Sequence, residues 1–471
     1  MQVRIFPSRA QGTVCAPPSK SVAHRALICG ALSRRSTIYG LAWSEDISAT
    51  CDCLRALGAT IERIADDAVA IGGLTIADIP DCAVLPCRES GSTLRFLIPI
   101  AMISGKTVHF TGSQRLMERP LGIYERISSE NGGIFRREGQ QITVRGGLRA
   151  GDYEVVGNIS SQFITGLMLA LSLADGESRI RVTEPFESRS YTDITVGVLR
   201  EFGVLVRCEG NVFVIPGAAA AEEVNYITGA TASQDVKDIA GAATSEDAKD
   251  TLGGATATSR SRFANLAYTV EGDCSNAAFL EALALLAAEE TADRCDNNDG
   301  LSGVVTTDAC AESETLPLTV TGVPAETSQG DRVYYEMLHE MAAGRKEFDL
   351  SDCPDLAPCL FAMAAYCGGA HFTGTARLAI KESDRGAAMA AELACFGAEV
   401  TVGDNEVTVA CEALHAPARI LSGHNDHRIV MALALLCTVT GGVIDGAEAV
   451  AKSYPDFFDV IREAGIDCAA E

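Results

Sequence analysis

A helix end of one kind recurs along the chain at intervals of about 70 residues. Each copy has an apolar helix-like run, then a glycine, then a strand-like run, as in LRALGATI and VLREFGVLV. Glycine suits the end of a helix because it adopts the left-handed backbone there without strain. The recurrence predicts six copies of one α+β unit. The glycines are Gly58, Gly132, Gly203, Gly397 and Gly465, and a degraded copy lies near Ala342.

Most copies also contain a second helical run that is apolar nearly all round. NAAFLEALALLAAEE and DHRIVMALALLCTVTGG are two examples, and such runs are typical of helices buried inside a domain. Each run begins with a polar cluster. If these helix starts converge, their free N–H groups form a site suited to anions. The clusters lie at residues 90–93, 160–162, 275–276, 354–355 and 425–428.

Three regions depart from the repeat. Residues 217–264 are rich in Ala, Gly, Thr, Ser and Asp, and residues 289–315 are acidic and polar. Both are expected to be surface excursions, because they offer few large apolar groups to a core. The unit just before Asp355 is short, and we expect it to lack a pair of strands.

The composition indicates a globular protein without a membrane or export signal. Of 471 residues, 47% are hydrophobic, which is enough for two or more domains with buried cores. No apolar run is long enough to span a bilayer, and MQVRIFPSRAQG has no apolar signal core, so a cytoplasmic protein is expected. The 17 cysteines include no CxxC pair, which favours free thiols over a metal site.

The net charge of −25 argues against nucleic acid or an anionic membrane as a partner. In so acidic a chain, Lys and Arg residues that cluster near helix starts need a local explanation, because the first turn of a helix carries partial positive charge and disfavours cations. Lys381 and Arg385 are expected on one helical face, at i and i+4. Arg95 either joins the cations or packs its stem on a helix. The cations at or near predicted helix starts are Lys20, Arg25, Arg119, Arg385, Arg428 and Lys452.

These cations predict a ligand that supplies the missing negative charge. One anionic group would not need so many partners, so we infer phosphate or carboxylate at more than one place on the ligand. A solvated charged face is the alternative explanation for each cation taken alone.

The motifs together resemble those of the EPSP synthase family of enolpyruvyl transferases. The resemblance covers nearly the whole chain apart from the two excursions and the shortened unit. It rests, in order, on PPSKSVAHRALICGALSRRSTI, ESGSTLRFL, ERPLGIYERI, SSQFITGLMLAL, SRSYTDITVGVLREFGV, VEGDCSNAAFL, CPDLAPCLFAMAA, IKESDRGAAMAAEL, NDHRIVMALAL and AKSYPDFF.

The resemblance implies an α/β chain, built from α+β units, with the two-domain enolpyruvyl transferase fold. Six βαβαββ repeats, one of them shortened, are divided three to a domain around an interdomain active-site cleft. Residues 20–270 are expected to form the first domain, which includes the excursion 217–264. Residues 1–19 and 271–471 are expected to form the second, which includes the excursion 289–315.

The family reaction adds the 5-hydroxyl of shikimate 3-phosphate to C2 of phosphoenolpyruvate, and the tetrahedral intermediate then loses phosphate. It needs an acid, a base and cations for the leaving phosphate. The resemblance implies no metal or organic cofactor, these two small molecules as the partners, and a monomer. Asp355, Glu382 and Lys20 are the implied catalytic residues, with Asp355 at the hydroxyl and Glu382 the leading acid toward C3.

The resemblance also implies the residues that bind each substrate. His427 is assigned only a supporting role, and Arg377, near a place where the family commonly has a polar group such as Asn, is left outside the site. The implied ligands of shikimate 3-phosphate are Lys20, Ser21, Arg25, Ser160, Ser161, Gln162, Ser188, Tyr191, Asp355 and Lys381. Those of phosphoenolpyruvate are Lys20, Gly91, Arg119, Gln162, Arg385, Arg428 and Lys452.

Two other functions stay open on the sequence alone. A sister enzyme transfers enolpyruvyl to UDP-N-acetylglucosamine on the same fold, but its first motif has Lys-Asn where this chain has Lys20-Ser21, and it lacks KESDR. A non-catalytic anion-binding relative is the other alternative, should the shortened unit fail to seat the helix that carries Asp355.

Overall fold

The computed structural model describes residues 1–217, 263–296 and 317–471 of the chain. The excursions predicted at 217–264 and 289–315 lie outside these residues except at their ends. Among the described residues no helix is both long and apolar enough to cross a membrane. The α-helices are α1 (Lys20–Leu32), α2 (Glu45–Ala56), α3 (Gly91–Ser104), α4 (Gln114–Glu118), α5 (Gly122–Glu130), α6 (Ser161–Leu171), α7 (Arg189–Glu201), α8 (Cys274–Asp296), α9 (Tyr334–Ala342), α10 (Ala357–Tyr366), α11 (Arg385–Leu393), α12 (His427–Thr440) and α13 (Phe457–Glu463).

Short strands alternate with these helices along the described chain. They are β1 (Gln2–Ile5), β2 (Gly12–Cys15), β3 (Arg35–Tyr39), β4 (Thr60–Ala65), β5 (Ala68–Gly72), β6 (Ala83–Pro86), β7 (Thr107–Thr111), β8 (Ile134–Glu138), β9 (Gln141–Arg145), β10 (Asp152–Val156), β11 (Ser178–Thr183), β12 (Arg207–Glu209), β13 (Val212–Ile215), β14 (Ala267–Thr269), β15 (Leu318–Thr321), β16 (Glu347–Asp349), β17 (Gly369–Thr373), β18 (Glu399–Val402), β19 (Glu406–Ala410), β20 (Leu421–Ser422), β21 (Gly442–Asp445) and β22 (Cys468–Ala470).

Five small sheets share one topology. In each sheet the first two strands pair in parallel, and the second and third and the third and fourth strands pair antiparallel. An example is β6-β7-β9-β8, where α3 connects the parallel strands β6 and β7. In four of the five sheets one buried helix makes the crossover that a parallel pair needs. The other four sheets are β14-β3-β5-β4, β10-β11-β13-β12, β16-β17-β19-β18 and β20-β21-β1-β22.

The sixth sheet contains only β2 and β15, which pair in parallel. Helix α8 precedes β15 in the chain, whereas β2 lies near the start of the chain, and α9 then leads to β16 of the next sheet without an antiparallel pair among the described residues. This confirms the predicted shortened repeat. The missing strands do not unseat the following helix, because α10 is buried from Ala357 to Ala365 and packs against α12.

The recurring glycines lie at the ends of helices, as the sequence predicts. Gly58, Gly132, Gly203, Gly397 and Gly465 all have positive φ, and in the degraded copy the left-handed residue is Gly344, two positions after Ala342. The apolar runs between them are buried on all sides. In α12, for example, every residue from 427 to 438 is buried.

The buried side chains form two separate hydrophobic cores. One core contains residues from 22 to 270, and the other contains residues from 3 to 16 together with residues from 274 onward. The chain passes between them twice, once before α1 and once before α8. We infer that these cores correspond to the two expected domains, 20–270 and 1–19 with 271–471.

Candidate active site

Several helices begin at one cleft between the two cores, each with a polar cap. Ser90 caps α3, Ser160 caps α6 and Asp426 caps α12, each accepting a bond from a backbone N–H at 3.0–3.3 Å. The capping oxygens satisfy donors that the first turn leaves free. The polar clusters predicted at the starts of the apolar runs therefore cap the helices as well as lying at the cleft.

The cleft has a volume of about 960 Å³ including its open mouth. Fifteen of the sixteen predicted site residues line it, although they come from widely separated parts of the sequence. They are Lys20, Ser21, Arg25, Gly91, Arg119, Ser160, Ser161, Gln162, Ser188, Tyr191, Asp355, Lys381, Glu382, Arg385 and Arg428.

The cleft is cationic although the chain is strongly acidic. Eight Lys and Arg side chains line it against four Asp and Glu, a net charge of +4 in a chain of net charge −25. Such a concave surface attracts anions, and its buried guanidinium groups match phosphate and carboxylate oxygens.

Lys452 is the predicted site residue that does not line the cleft. Its Nζ donates to the carbonyl of Asn425 at 2.6 Å and forms an ion pair with Glu89, which belongs to the other core. Glu89 thus neutralises a cation that the sequence assigned to a phosphate ligand.

Asp355 lies among three cations at the head of α10. It pairs with Lys381 at 3.0 Å, Arg385 at 2.8 Å and Arg428 at 3.5 Å. Burial favours the neutral carboxyl, but Lys381, Arg428 and Arg385 outweigh it and hold the pKa of Asp355 well below its usual range. Asp355 is therefore a carboxylate at neutral pH, the form that can accept a proton.

Glu382 has a similar environment. Arg385 lies 2.9 Å from its carboxylate and Arg119 lies 3.8 Å away. Burial opposes ionisation, yet Arg385 and Arg119 hold the pKa of Glu382 well below its usual range. Glu382 must therefore gain a proton before it acts as an acid, and an anion that takes over its arginine partners would raise its pKa.

Arg385 connects these carboxylates. Its side chain is 1% exposed and pairs with Asp426 at 2.9 Å as well as with Asp355 and Glu382. The sequence placed Lys381 and Arg385 on one face of a helix, and this is wrong: α11 begins at Arg385, and Lys381 precedes it in extended backbone. The two cations nevertheless meet at Asp355, because tertiary contacts rather than helical spacing bring them together.

The two cations at the start of the chain are held by different partners. Lys20 donates to Asp46 at 3.1 Å, so a carboxylate from α2 offsets part of its charge. Arg25 donates to the hydroxyl of Thr195 at 2.8 Å and to the carbonyl of Tyr191 at 2.9 Å. Its guanidinium forms part of the cleft floor, and burial lowers its pKa to about 10.

Two arginines that the sequence did not assign to the site also line the cleft. Arg95 donates to Oε1 of Gln162 at 2.7 Å while its guanidinium lies over the ring of Phe163, so it joins the cations of the cleft. Arg377 was left outside the predicted site, yet its side chain lines the cleft. It lines the cleft because its partner Glu187, at 2.7 Å, comes from the other core, and no local sequence signal gives that pairing.

Two further buried polar residues, Asp331 next to Tyr191 and His427 in the cleft lining, have atoms without a hydrogen-bond partner among the described residues. Asp331 accepts from the Tyr191 hydroxyl at 2.7 Å, and its Oδ1 has no partner. Burial, and then the charge of Asp355, raise the pKa of Asp331 to about 7. His427 lines the cleft without a partner for either ring nitrogen. Burial and the nearby Lys20 lower its pKa well below the usual range, so it is neutral at physiological pH.

Comparisons with known proteins agree with this arrangement. A sequence model of the family described as EPSP synthase (3-phosphoshikimate 1-carboxyvinyltransferase) matches residues 6–248 and 249–461. The 3-phosphoshikimate 1-carboxyvinyltransferase of Clostridium kluyveri is 34% identical, with 98% of this chain and 97% of its own length covered. That of Clostridium acetobutylicum is also 34% identical, with 99% and 97% covered.

Solved structures share the fold. EPSP synthase from Acinetobacter baumannii matches with a TM-score of 0.69 and 22% identity over 100% of both chains. The enolpyruvyl transferase NikO from Streptomyces tendae matches with a TM-score of 0.61 and 14% identity, covering 99% of this chain and 98% of its own. The chain has the two-domain enolpyruvyl transferase fold and, by the family match and its full-length relatives, belongs to the EPSP synthase family.

Proposed function

We propose that this protein transfers the enolpyruvyl group of phosphoenolpyruvate to the 5-hydroxyl of shikimate 3-phosphate. The products are 5-enolpyruvylshikimate 3-phosphate and phosphate, a step of aromatic amino acid biosynthesis. The observation that carries the proposal is the cationic cleft, where eight Lys and Arg side chains from the whole length of the chain meet at buried helix starts. Two multiply anionic substrates account for that charge.

Shikimate 3-phosphate occupies the side of the cleft formed by the starts of α6 and α7. Hydroxyl and backbone donors there face the phosphate, while Lys381 and Asp355 face the ring hydroxyls. Phosphoenolpyruvate occupies the side near α3, α11 and α12, where the guanidinium groups of Arg119, Arg385 and Arg428 converge. The first set is Lys20, Ser21, Arg25, Ser160, Ser161, Gln162, Ser188, Tyr191, Asp355 and Lys381; the second is Lys20, Gly91, Arg119, Gln162, Arg385 and Arg428. Lys452 joins the second set by exchanging its partner Glu89 for the ligand.

The residue charges suggest an order of events. Asp355, already a carboxylate, accepts the proton of the 5-hydroxyl as its oxygen bonds to C2 of phosphoenolpyruvate. Glu382, protonated once the substrate anions engage its arginines, gives a proton to C3, with Lys20 assisting. The intermediate then returns a proton from C3 to Glu382 and loses phosphate from C2. The phosphate leaves with the proton that Asp355 had accepted, and the cations stabilise its departure.

Two other functions are less well supported. The UDP-N-acetylglucosamine enolpyruvyl transferases differ at the Lys20-Ser21 motif, and the full-length relatives carry the other name. A non-catalytic relative is disfavoured because the shortened unit leaves Asp355 in contact with Lys381, Arg385 and Arg428. We further propose that the protein acts as a cytoplasmic monomer, since one chain supplies both sides of the cleft.

Phosphate release tests the proposal. The purified protein is mixed with phosphoenolpyruvate and either shikimate 3-phosphate or UDP-N-acetylglucosamine, and free phosphate is followed over time. We expect release only with shikimate 3-phosphate. Release only with the UDP-sugar selects the sister activity, and binding of shikimate 3-phosphate without release selects the non-catalytic alternative.

A further inference from the structure

Arg377 connects the two hydrophobic cores at one end of the cleft. It lies in a short 3₁₀ turn, Ala376–Ile380, four residues before Lys381, and its side chain is 6% exposed. The turn belongs to the second core, but the guanidinium reaches the first. Its Nη1 donates to Oγ of Ser188, and its Nε lies 2.7 Å from the carboxylate of Glu187.

The contacted serine has an unusual backbone. Ser188 has φ +54° and ψ +38°, the left-handed region, which is strained for a non-glycine residue. The second core holds it there. The backbone N–H of Ser188 donates to the carbonyl of Ser351 at 3.0 Å, and Arg377 donates to the same carbonyl through Nη2.

The residues after Ser188 dock on the same surface. The backbone N–H of Arg189 donates to Oδ1 of Asp352 at 3.1 Å, and the Ser190 hydroxyl donates to the carbonyl of Asp352 at 2.9 Å. The start of α7 is therefore fixed from across the cleft, with Arg377 at the point nearest the cavity.

The direction of the bond to Ser188 matters chemically. A guanidinium only donates, so Oγ of Ser188 accepts from Arg377 and its own hydrogen remains free. Ser188 lines the cleft together with Ser160 and Ser161. A hydroxyl that accepts from a cation is a stronger donor to an anion than one that accepts from water or a neutral group.

We propose that Arg377 is a positioning residue for the phosphate of shikimate 3-phosphate, acting through the hydroxyl of Ser188. This deepens the proposed function and rests on it, because Ser188 is a proposed ligand of that substrate. Since Arg377 and Ser188 belong to different cores, the phosphate donor is complete only while the two cores are in contact. Binding of this substrate and closure of the cleft are thereby coupled.

Steady-state kinetics of Arg377→Ala test the proposal. The KM for shikimate 3-phosphate is expected to rise about tenfold or more, the size of effect typical for one lost bond involving a charged group. The KM for phosphoenolpyruvate and the kcat are expected to change less than about threefold. The matched control is Arg115→Ala, because Arg115 also reaches the turn, at the carbonyl of Ala379, but from the exposed side. Equal effects of the two substitutions on both KM values would overturn the proposal.

A double-mutant cycle with Ser188→Ala separates positioning from general stability. If Arg377 acts through Ser188, the double variant binds shikimate 3-phosphate no more weakly than Ser188→Ala alone. Independent roles give multiplied effects, which would refute the proposal.

If Arg377→Ala does not fold, Arg377→Lys tests the proposal instead, because lysine keeps the charge but cannot hold Ser188 and Ser351 together. An unchanged KM in that variant contradicts the proposal, and a raised one supports it.

Failure of the proposed function gives a different result. In that case the wild-type protein releases no phosphate from the two substrates. Calorimetric titration with shikimate 3-phosphate then still tests Arg377. Weaker binding by Arg377→Ala than by Arg115→Ala supports the positioning role, and equal binding, or none by the wild type, ends it.

Discussion

At the scale of single residues, the cleft contains Lys and Arg side chains whose positive charge is only partly neutralised by the protein's own carboxylates. The carboxylates that line the cleft are Asp46, Asp273, Asp355 and Glu382. Asp46 forms an ion pair with Lys20, and Asp355 forms ion pairs with Lys381 and Arg385. The arginines and lysines are thus oriented before any substrate arrives, which limits the entropy lost on binding.

Lys20 is expected to be indispensable because it faces both proposed substrates and assists the proton transfer. Lys20→Met should lower kcat by about 10²- to 10³-fold or more while the fold stays intact. Stopped assays of phosphate release, with circular dichroism as the check on folding, measure this. Lys106→Met is the control, since Lys106 lies outside the cleft. A Lys20→Met variant with nearly wild-type turnover is incompatible with the assigned site.

Gly91 is expected to be needed for its lack of a side chain. A Cβ at this position would lie 2.5 Å from Nη1 of Arg119, so alanine displaces that guanidinium. We expect Gly91→Ala to raise the KM for phosphoenolpyruvate about tenfold, with a smaller effect on the KM for shikimate 3-phosphate. Gly122→Ala is the control, because its Cβ meets nothing within 4 Å. An unchanged KM for phosphoenolpyruvate would count against the assignment of Arg119.

Asp331 should make the stability of the protein depend on pH. Its pKa is raised from the ordinary value to about 7, so between about pH 4 and pH 7 the folded chain keeps a proton that the unfolded chain has lost. Its contribution to stability therefore falls as the pH rises through that range. Asp331→Asn cannot ionise, and we expect its melting temperature relative to wild type to be higher at pH 8 than at pH 5.

Thermal unfolding at the two pH values measures this difference. The other charged or titratable groups around Asp331 are Tyr191, Asp355, Arg428, Asp273, Cys274 and Cys353, and the substitution leaves them in place. Asp404→Asn, in the exposed turn between β18 and β19, is the control and should show no such trend. A difference between Asp331→Asn and wild type that is the same at both pH values would disprove the effect.

At the scale of elements, helix starts carry most of the site. Capping residues such as Ser90, Ser160 and Asp426 fix where each helix begins, and the residues just after them face the cleft. These caps were recognisable in the sequence as polar clusters before apolar runs. The start of α11 was not, because Lys381 to Asp384 have helix-compatible composition and only the contacts of Asp355 and Asp426 show where the helix begins.

The cap of α11 offers a test at this scale. Oδ1 of Asp384 accepts from the backbone N–H of Ala387 at 3.1 Å, at the turn that presents Arg385. Asp384→Ala is expected to lower the free energy of unfolding by about 1 kcal/mol, and Asp384→Ser to restore most of it. Urea denaturation measures both. Equal stability of the alanine variant and wild type would show that the cap contributes nothing.

At the scale of the whole molecule, the two cores are joined by ion pairs across the cleft. Glu89 pairs with Lys452, Glu187 with Arg377, and Glu382 with Arg119 at 3.8 Å. The six repeats and the gathering of cations followed from local signals in the sequence, and the two-domain fold and the other candidate residues came from the resemblance to the EPSP synthase family. Arg377 and Asp331 did not, because their roles depend on partners from the other core or from distant segments.

The net positive charge of the cleft opposes its closure until anions bind. We therefore expect the radius of gyration in small-angle scattering to fall when shikimate 3-phosphate and phosphoenolpyruvate are both added. Inorganic sulfate at the same ionic strength serves as the control for simple screening. Scattering curves that do not change with the substrates would argue against coupled closure.

Phosphorus NMR of one reaction mixture tests the central claim most directly, because it follows both phosphates at once. With the protein, phosphoenolpyruvate and shikimate 3-phosphate, we predict that the phosphoenolpyruvate signal is replaced by that of inorganic phosphate. The phosphate monoester signal of shikimate 3-phosphate should persist, shifted to that of the 5-enolpyruvyl product. Persistence of the phosphoenolpyruvate signal, or loss of the monoester in its place, would contradict the account.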